Sequence, residues 1–238
     1  SNCKISVRDS AGNTSDNLSV NSFSISGSNP ELAQVTAVPT PTNDNTSNYS
    51  FSSTKSGTIS YGGSCSSDNT STAVSSTLDN ITVTFNALAD GTYSNCTIQV
   101  TDNESTASDN LTVSSFTIDT VKPALAQVTA VADNASDSTP SYTFSSTESG
   151  TILSSGSCSS SNSNASTGNN TISFNQLADG TYSNCKISVR DSAGNTSDNL
   201  TVSTFTISGS KPVLAQVTAV PTPTNDNTSL NYTFSSTK

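Results

Sequence analysis

Leu88-Ala-Asp-Gly-Thr-Tyr-Ser-Asn-Cys96 recurs letter for letter at residues 177–185, and its last three letters open the chain as Ser1-Asn-Cys3. The chain is therefore a tandem repeat, and whatever this phrase folds into is built more than once. Asp90-Gly91 supplies a tight turn in which glycine takes positive φ without a Cβ clash. Tyr93 and the alternating Cys96, Ile98 and Val100 come next, which spells a loop feeding a strand with one buried face.

Outward from this phrase the copies can be framed. Residues 1–29 match 183–211 almost throughout, so they are the back end of a repeat. Residues 30–122 and 123–211 are two complete copies of about 90 residues each, and 212–238 is the front end of another. Within the first full copy, 32–38 spells an opening strand, bounded by Pro39 and Pro41, which exclude it from a central ladder position. Tyr49 with Phe51, then residues 57–61, then Ile81 with Val83 and Phe85, each alternate as strands. The Cys96 strand turns through 102–104, matched by 191–195, into a last strand carrying Leu111, Val113, Phe116 and Ile118.

Seven or so short strands with regular turn signals and no helical periodicity predict an all-β fold: one Greek-key sandwich per copy, in tandem. The joints at 119–123 and 208–212 are short and contain proline, so the sandwiches are expected to stand end to end. Tyr93 and Cys96 are three apart and thus opposite in strand parity, which predicts a β-bulge at 94–95 and at 183–184. Parity also switches between Val113 and Phe116, predicting another at 114–115 and at 203–204. From Cys65 to Phe85 is 20 positions, and from Cys158 to Phe174 only 16. Segments 66–79 and 159–170 must then be exposed loops or edges that absorb the difference.

Composition narrows the function. Hydrophobic residues make up 31% of the 238 and aromatics 6%, with no Trp, Met or His, so small sandwiches with thin cores are expected, not one large core. Disorder fits poorly, because Thr, Val and Ile are plentiful and charged residues are only 11%. A net charge of −10 without any Lys/Arg cluster excludes a phosphate-tracking surface and argues against nucleic acid as a partner. No apolar run reaches the length of a membrane span.

Five cysteines pair off once the frame is applied: Cys65 with Cys96, Cys158 with Cys185, and Cys3 with a partner upstream. Metal binding by these thiols is disfavoured, since no copy contains His or a close CxxC. Intradomain disulfides imply an oxidising compartment: periplasmic, surface or secreted. The first cysteine comes after the third strand, so the bridge is expected to tie that strand to the one after the tyrosine, within one sheet.

No catalytic constellation emerges. A serine nucleophile would need a Lys base, yet Lys55 becomes Glu148 in the next copy, and the paired acids Asp102 and Glu104 become Asp191 and Ala193. An intramolecular Lys–Asn crosslink is disfavoured too, since no Lys occupies a core-strand position in both full copies. For Asp44, Asp119, Asp133 and Asp226, near the expected domain ends, two readings stand: oxygen ligands for calcium, or Asx-turn residues. No other cofactor is indicated.

Asp-Gly-Thr-Tyr at 90–93 and 179–182, Asp-Ser-Ala-Gly-Asn at 9–13 and 191–195, Thr-Asn-Asp-Asn-Thr at 42–46 and 224–228, and Phe-Thr-Ile-Asp at 116–119 together resemble the bacterial immunoglobulin-like (Big-type) repeats of giant surface adhesins and biofilm-associated proteins. The resemblance implies that Tyr93 and Tyr182 form tyrosine corners, the hydroxyl bonding back to the nearby backbone. It also implies a non-enzymatic stalk or extender on the bacterial cell surface, whose partners are neighbouring repeats or fibre subunits. Two features depart from the usual pattern: the regular cysteine pair and the extra residue after the tyrosine. Two other expectations remain alongside: a module binding surface glycans or proteins through 66–79 and 159–170, and a filament subunit completed by neighbouring chains through strand complementation.

Overall fold

The computed structural model describes residues 3–21, 27–72, 79–220, 222, 224–225 and 231–237, and none of these is helical. The chain divides into two compact units, Ser1–Thr40 with Asn45–Thr117, and Pro41–Asp44 with Ile118–Lys238. Residues 1–29 thus group with the first full copy and 212–238 with the second.

In the first unit β1 (Lys4–Ile5) and β2 (Leu18–Ser19) form a separate antiparallel pair. The full copy continues with β3 (Leu32–Thr36), β4 (Asn48–Ser53), β5 (Gly57–Gly62), β6 (Ser71–Thr72), β7 (Asp79–Thr84), β8 (Gly91–Tyr93), β9 (Thr97–Asp102), β10 (Leu111–Thr112) and β11 (Phe116–Ile118). These make a three-stranded sheet in the order β3-β4-β7, a four-stranded sheet β10-β9-β5-β6 and the pair β11-β8. The second unit repeats the plan with β12 (Leu125–Thr129), β13 (Ser141–Ser146), β14 (Gly150–Ser155), β15 (Asn164–Ala165), β16 (Gly168–Ser173), β17 (Gly180–Tyr182), β18 (Lys186–Arg190), β19 (Leu200–Thr201) and β20 (Phe205–Ile207). Its sheets are β12-β13-β16, β15-β14-β18-β19 and β17-β20. A last pair, β21 (Leu214–Thr218) with β22 (Thr233–Ser236), closes the described chain.

Period-two patterning decides which face goes inside. Along β4 and β13 every second residue is buried, and the residues between are Ser, Thr and Asn. The buried rings and the half-buried Tyr93 stack into a ladder, Tyr49 to Phe85 at 6.1 Å, Phe85 to Phe116 at 6.0 Å and Phe116 to Tyr93 at 5.3 Å. Tyr142, Phe174, Phe205 and Tyr182 repeat it at 6.0, 6.1 and 5.3 Å. Such offset ring pairs add about 0.5–1.5 kcal/mol each beyond their buried area, which matters in a thin core. On the terminal pairs the same letters face solvent: Val7 is 69% exposed and Phe234 59%, where Val189 and Phe144 are fully buried.

The expected bulges at 94–95, 183–184, 114–115 and 203–204 are not what the structure forms. After Tyr93 the strand ends, and the chain leaves the β8–β11 pair to join β5 and β10 as β9. After Thr112 it makes the reverse switch, and the second unit does the same at both places. Changing sheets inverts which parity faces inward, so no extra residue inside a ladder is needed. The bulge falls elsewhere, at Val35, Val128 and Val217, where β3, β12 and β21 slip register against their neighbours. β3 and β12 are edge strands of their sheets, and a bulge there twists the exposed edge away from pairing with another chain.

Candidate functional site

Cys65 is disulfide-bonded to Cys96 and Cys158 to Cys185, while Cys3 is exposed and has no disulfide partner among the described residues. Each bridge joins the residues just past β5 and just before β9, or past β14 and before β18, strands that pair within one sheet. The turn that brings them together depends on Gly63 and Gly156, at φ +72° and +84°. A Cβ on either would also overlap the carbonyl oxygen of Asn95 or Asn184. Tyr93 Oη donates to the Ala89 carbonyl at 2.9 Å and Tyr182 Oη to that of Ala178 at 3.0 Å, which is the bond back to the preceding turn that defines a tyrosine corner.

The first bridge also anchors a polar cleft. Of segment 66–79, residues 66–72 leave Cys65, lie against β7 through Ser67 and Asn69 and contribute β6 at the sheet edge, and 73–78 lie outside the described residues. Ser67 Oγ donates to the Thr84 carbonyl at 2.6 Å, and the Asn69 amide N–H donates back to Ser67 Oγ at 3.2 Å. Asn69 Nδ2 donates to the Thr82 carbonyl, and Tyr61 Oη donates to the carbonyl of Asn69. Asn86 Nδ2 donates to Asp68 Oδ1 at 3.1 Å. Between these groups lies a cleft of about 400 Å³, lined by Ser67, Asp68, Asn69, Thr82, Thr84 and Asn86 among others.

Acidic residues gather where the sequence did not place them. Asp119, Glu148 and Asp191 each bring a carboxylate oxygen within 4.8 Å of the other two. Of the four residues read as either calcium ligands or Asx-turn residues, only Asp119 belongs to this group. Asp133 Oδ1 accepts the amide of Asn134, an Asx-type local bond, and the Asp44 amide donates to Thr42 Oγ1. Asp226 lies outside the described residues. Glu148 and Asp191 went unrecognised because they are distant in sequence, although the signal was present in the repeat frame.

In the first unit Lys55 holds the place of Glu148, and Lys55 Nζ donates to Asp102 Oδ2 at 2.8 Å. That ammonium, followed by the amides of Thr106 and Glu104, holds the Asp102 carboxyl below the usual range. In the second unit burial, then the charges of Asp119 and Asp191, push the Glu148 carboxyl up. Asp191 is tied down by the amides of Gly194 and Asn195 and by Asn195 Nδ2. Two positions thus separate an ion pair from a crowd of carboxylates: Lys55 against Glu148, and Ser26 against Asp119.

No protein-family model, curated protein or solved structure matches this chain. No described helix is long and apolar enough to cross a membrane.

Proposed function

We propose that this chain is a run of structural spacer repeats from a large extracellular bacterial adhesin or surface fibre, each full copy an immunoglobulin-like Greek-key sandwich without catalytic chemistry. The observation that carries this reading is duplication: two units share the same sheet orders, the same aromatic ladder, the same tyrosine bond and one disulfide each. Repeating a whole folded unit adds length, whereas a receptor or enzyme needs one distinctive surface. The disulfides favour an oxidising compartment outside the cytosol, and a chain of net charge −10 rich in Ser, Thr and Asn suits a solvated, non-sticking exterior.

Small-angle X-ray scattering of the chain tests the spacer reading. A single compact body of this length would have a radius of gyration of about 18 Å. Repeats strung end to end should scatter with a clearly larger value and an elongated pair-distance distribution; a value near the compact one sinks the proposal. One observation favours a binding role beside it, the polar cleft at Ser67 to Asn69, which the second copy lacks in the same chemical form.

A further inference from the structure

From the cleft beside β7 we infer that the first unit carries a binding site for a neutral carbohydrate, and that the second unit does not. The inference goes beyond the spacer reading and does not rest on it.

The cleft's size, about 400 Å³, falls in the range of small-ligand sites, roughly 300–1,000 Å³. Its walls are mixed: Ser67, Asp68, Asn69, Thr82, Thr84 and Asn86 supply hydroxyl, amide and carboxylate groups, and Phe85 and Ala87 add apolar surface beside them. A ligand that matches such walls carries several hydroxyls next to an apolar face, as a sugar ring does.

Asp68 and Asn86 are already joined, Asn86 Nδ2 donating to Asp68 Oδ1. Among the described residues nothing donates to Asp68 Oδ2, Asn69 Oδ1 or Asn86 Oδ1. A carboxylate and an amide side by side suit a vicinal diol, one hydroxyl donating to the carboxylate and its neighbour to the amide oxygen, as charge-assisted and neutral bonds respectively. Asp68 is the one charged residue in the lining, and the chain as a whole is at −10, so sialylated, uronic or phosphorylated sugars are repelled.

The loop is also held ready. Ser67, Asn69 and Asn86 are each bonded to strand or loop backbone, with the Cys65–Cys96 bridge beside them, so little ordering cost falls on the ligand.

The second copy supplies an internal comparison. Ser160 Oγ donates to the Ser173 carbonyl at 2.8 Å and the Asn162 amide donates to Ser160 Oγ at 3.1 Å, so the scaffold of the loop is the same. Yet Ser161 stands where the first copy has Asp68, and Asn162 Oδ1 is occupied by the Ser173 amide. Of the three acceptors open in the first unit, Asp68 Oδ2 has no counterpart in the second and that of Asn69 Oδ1 is taken; only the third survives, on Asn175.

The test uses the full chain on an array of mannose-, glucose-, galactose- and N-acetylhexosamine-terminated oligosaccharides with sialylated counterparts, and then calorimetry on any hit. Wild type should retain at least one neutral glycan with one site per chain, and Asn86→Ala should weaken it about tenfold or more. Asp68→Asn keeps the oxygen that Asn86 donates to and should give the same loss with an unchanged near-ultraviolet circular dichroism spectrum, so a misfolded Asn86 variant would not decide the matter. Retention of sialylated glycans alone, no retention of any glycan, or equal binding by Asp68→Asn each overturns the inference. A blank array with an elongated scattering profile would remove this site and leave the spacer reading standing.

Discussion

Replacing Glu148 by lysine should convert the carboxylate crowd of the second unit into the ion pair of the first, and stabilise it at neutral pH. The local backbone is already shared: Ser146 Oγ donates to the Glu148 carbonyl at 2.6 Å, as Ser53 Oγ does to that of Lys55 at 2.7 Å. A new ammonium at 148 therefore lands on Asp191 as Lys55 lands on Asp102. Exposed ion pairs contribute about 0.2–1 kcal/mol. Here the lysine side chain is 27% exposed and the aspartate 4%, and a repelling carboxylate is removed as well, so a gain of about 1 kcal/mol is expected at pH 7. That corresponds to a rise of roughly 4–8 °C in the melting temperature of a domain of this size.

The pH dependence fixes the sign. Glu148 has a raised carboxyl value, so its contribution to stability is fully present below its ordinary 4.5 and is lost as pH rises through the raised value. Asp102 has a lowered one, so its contribution is present above its ordinary 3.8 and is lost as pH falls through the lowered value. Scanning calorimetry of wild type and Glu148→Lys from about pH 3 to pH 7, with a chelator present, separates the two slopes. The variant should lose the decline that Glu148 imposes as pH rises; unchanged or reduced stability at pH 7 would refute the placement of these three carboxylates.

Three further outcomes rest on the same comparison of copies. Tyr49 Oη donates to Gln34 Oε1 at 3.2 Å, whereas the buried Tyr142 hydroxyl has no partner among the described residues. In urea titrations Tyr49→Phe should therefore cost about 0.5–1.5 kcal/mol and Tyr142→Phe should be neutral or stabilising; equal losses would contradict this. Replacing Cys158 and Cys185 together by alanine opens a loop of 27 residues, worth about 3.5 kcal/mol in the chain-entropy account, against about 3.7 kcal/mol for the 31-residue loop of Cys65 and Cys96. A shift in the urea midpoint of the affected unit by less than about 0.5 M would mean that the bridge contributes little. Gly156→Ala should cost more than Gly168→Ala, about 1–2 kcal/mol for positive φ in both but with carbonyl overlap only at 156, and thermal melts that rank them the other way would refute the turn geometry.

Strand alternation and turn residues made the all-β class, the repeat frame and most strand positions legible, because each is a local property of a few neighbouring side chains. The parity shifts after Tyr93 and Val113 were legible too, but their cause was not. A bulge and a change of sheet leave the same mark in sequence, and only pairing partners distinguish them. The cleft was half visible: a loop that tolerates four extra residues announces an exposed segment, yet Asp68 meets Asn86 only because the chain leaving β7 brings Asn86 back to that loop.

By itself the sequence determined that the chain repeats one thin, strand-built unit with a cysteine pair in each full copy, since repetition and period-two burial need no knowledge of distant contacts. The tertiary structure alone decided which carboxylates crowd together. The registers Gly57 to Asp102 and Thr151 to Arg190 bring the residue two places before each strand's first glycine against an aspartate more than 40 positions away. Whether that meeting is an ion pair or a repulsion then turns on one side chain, Lys55 or Glu148, because charge interacts through space and not along the chain.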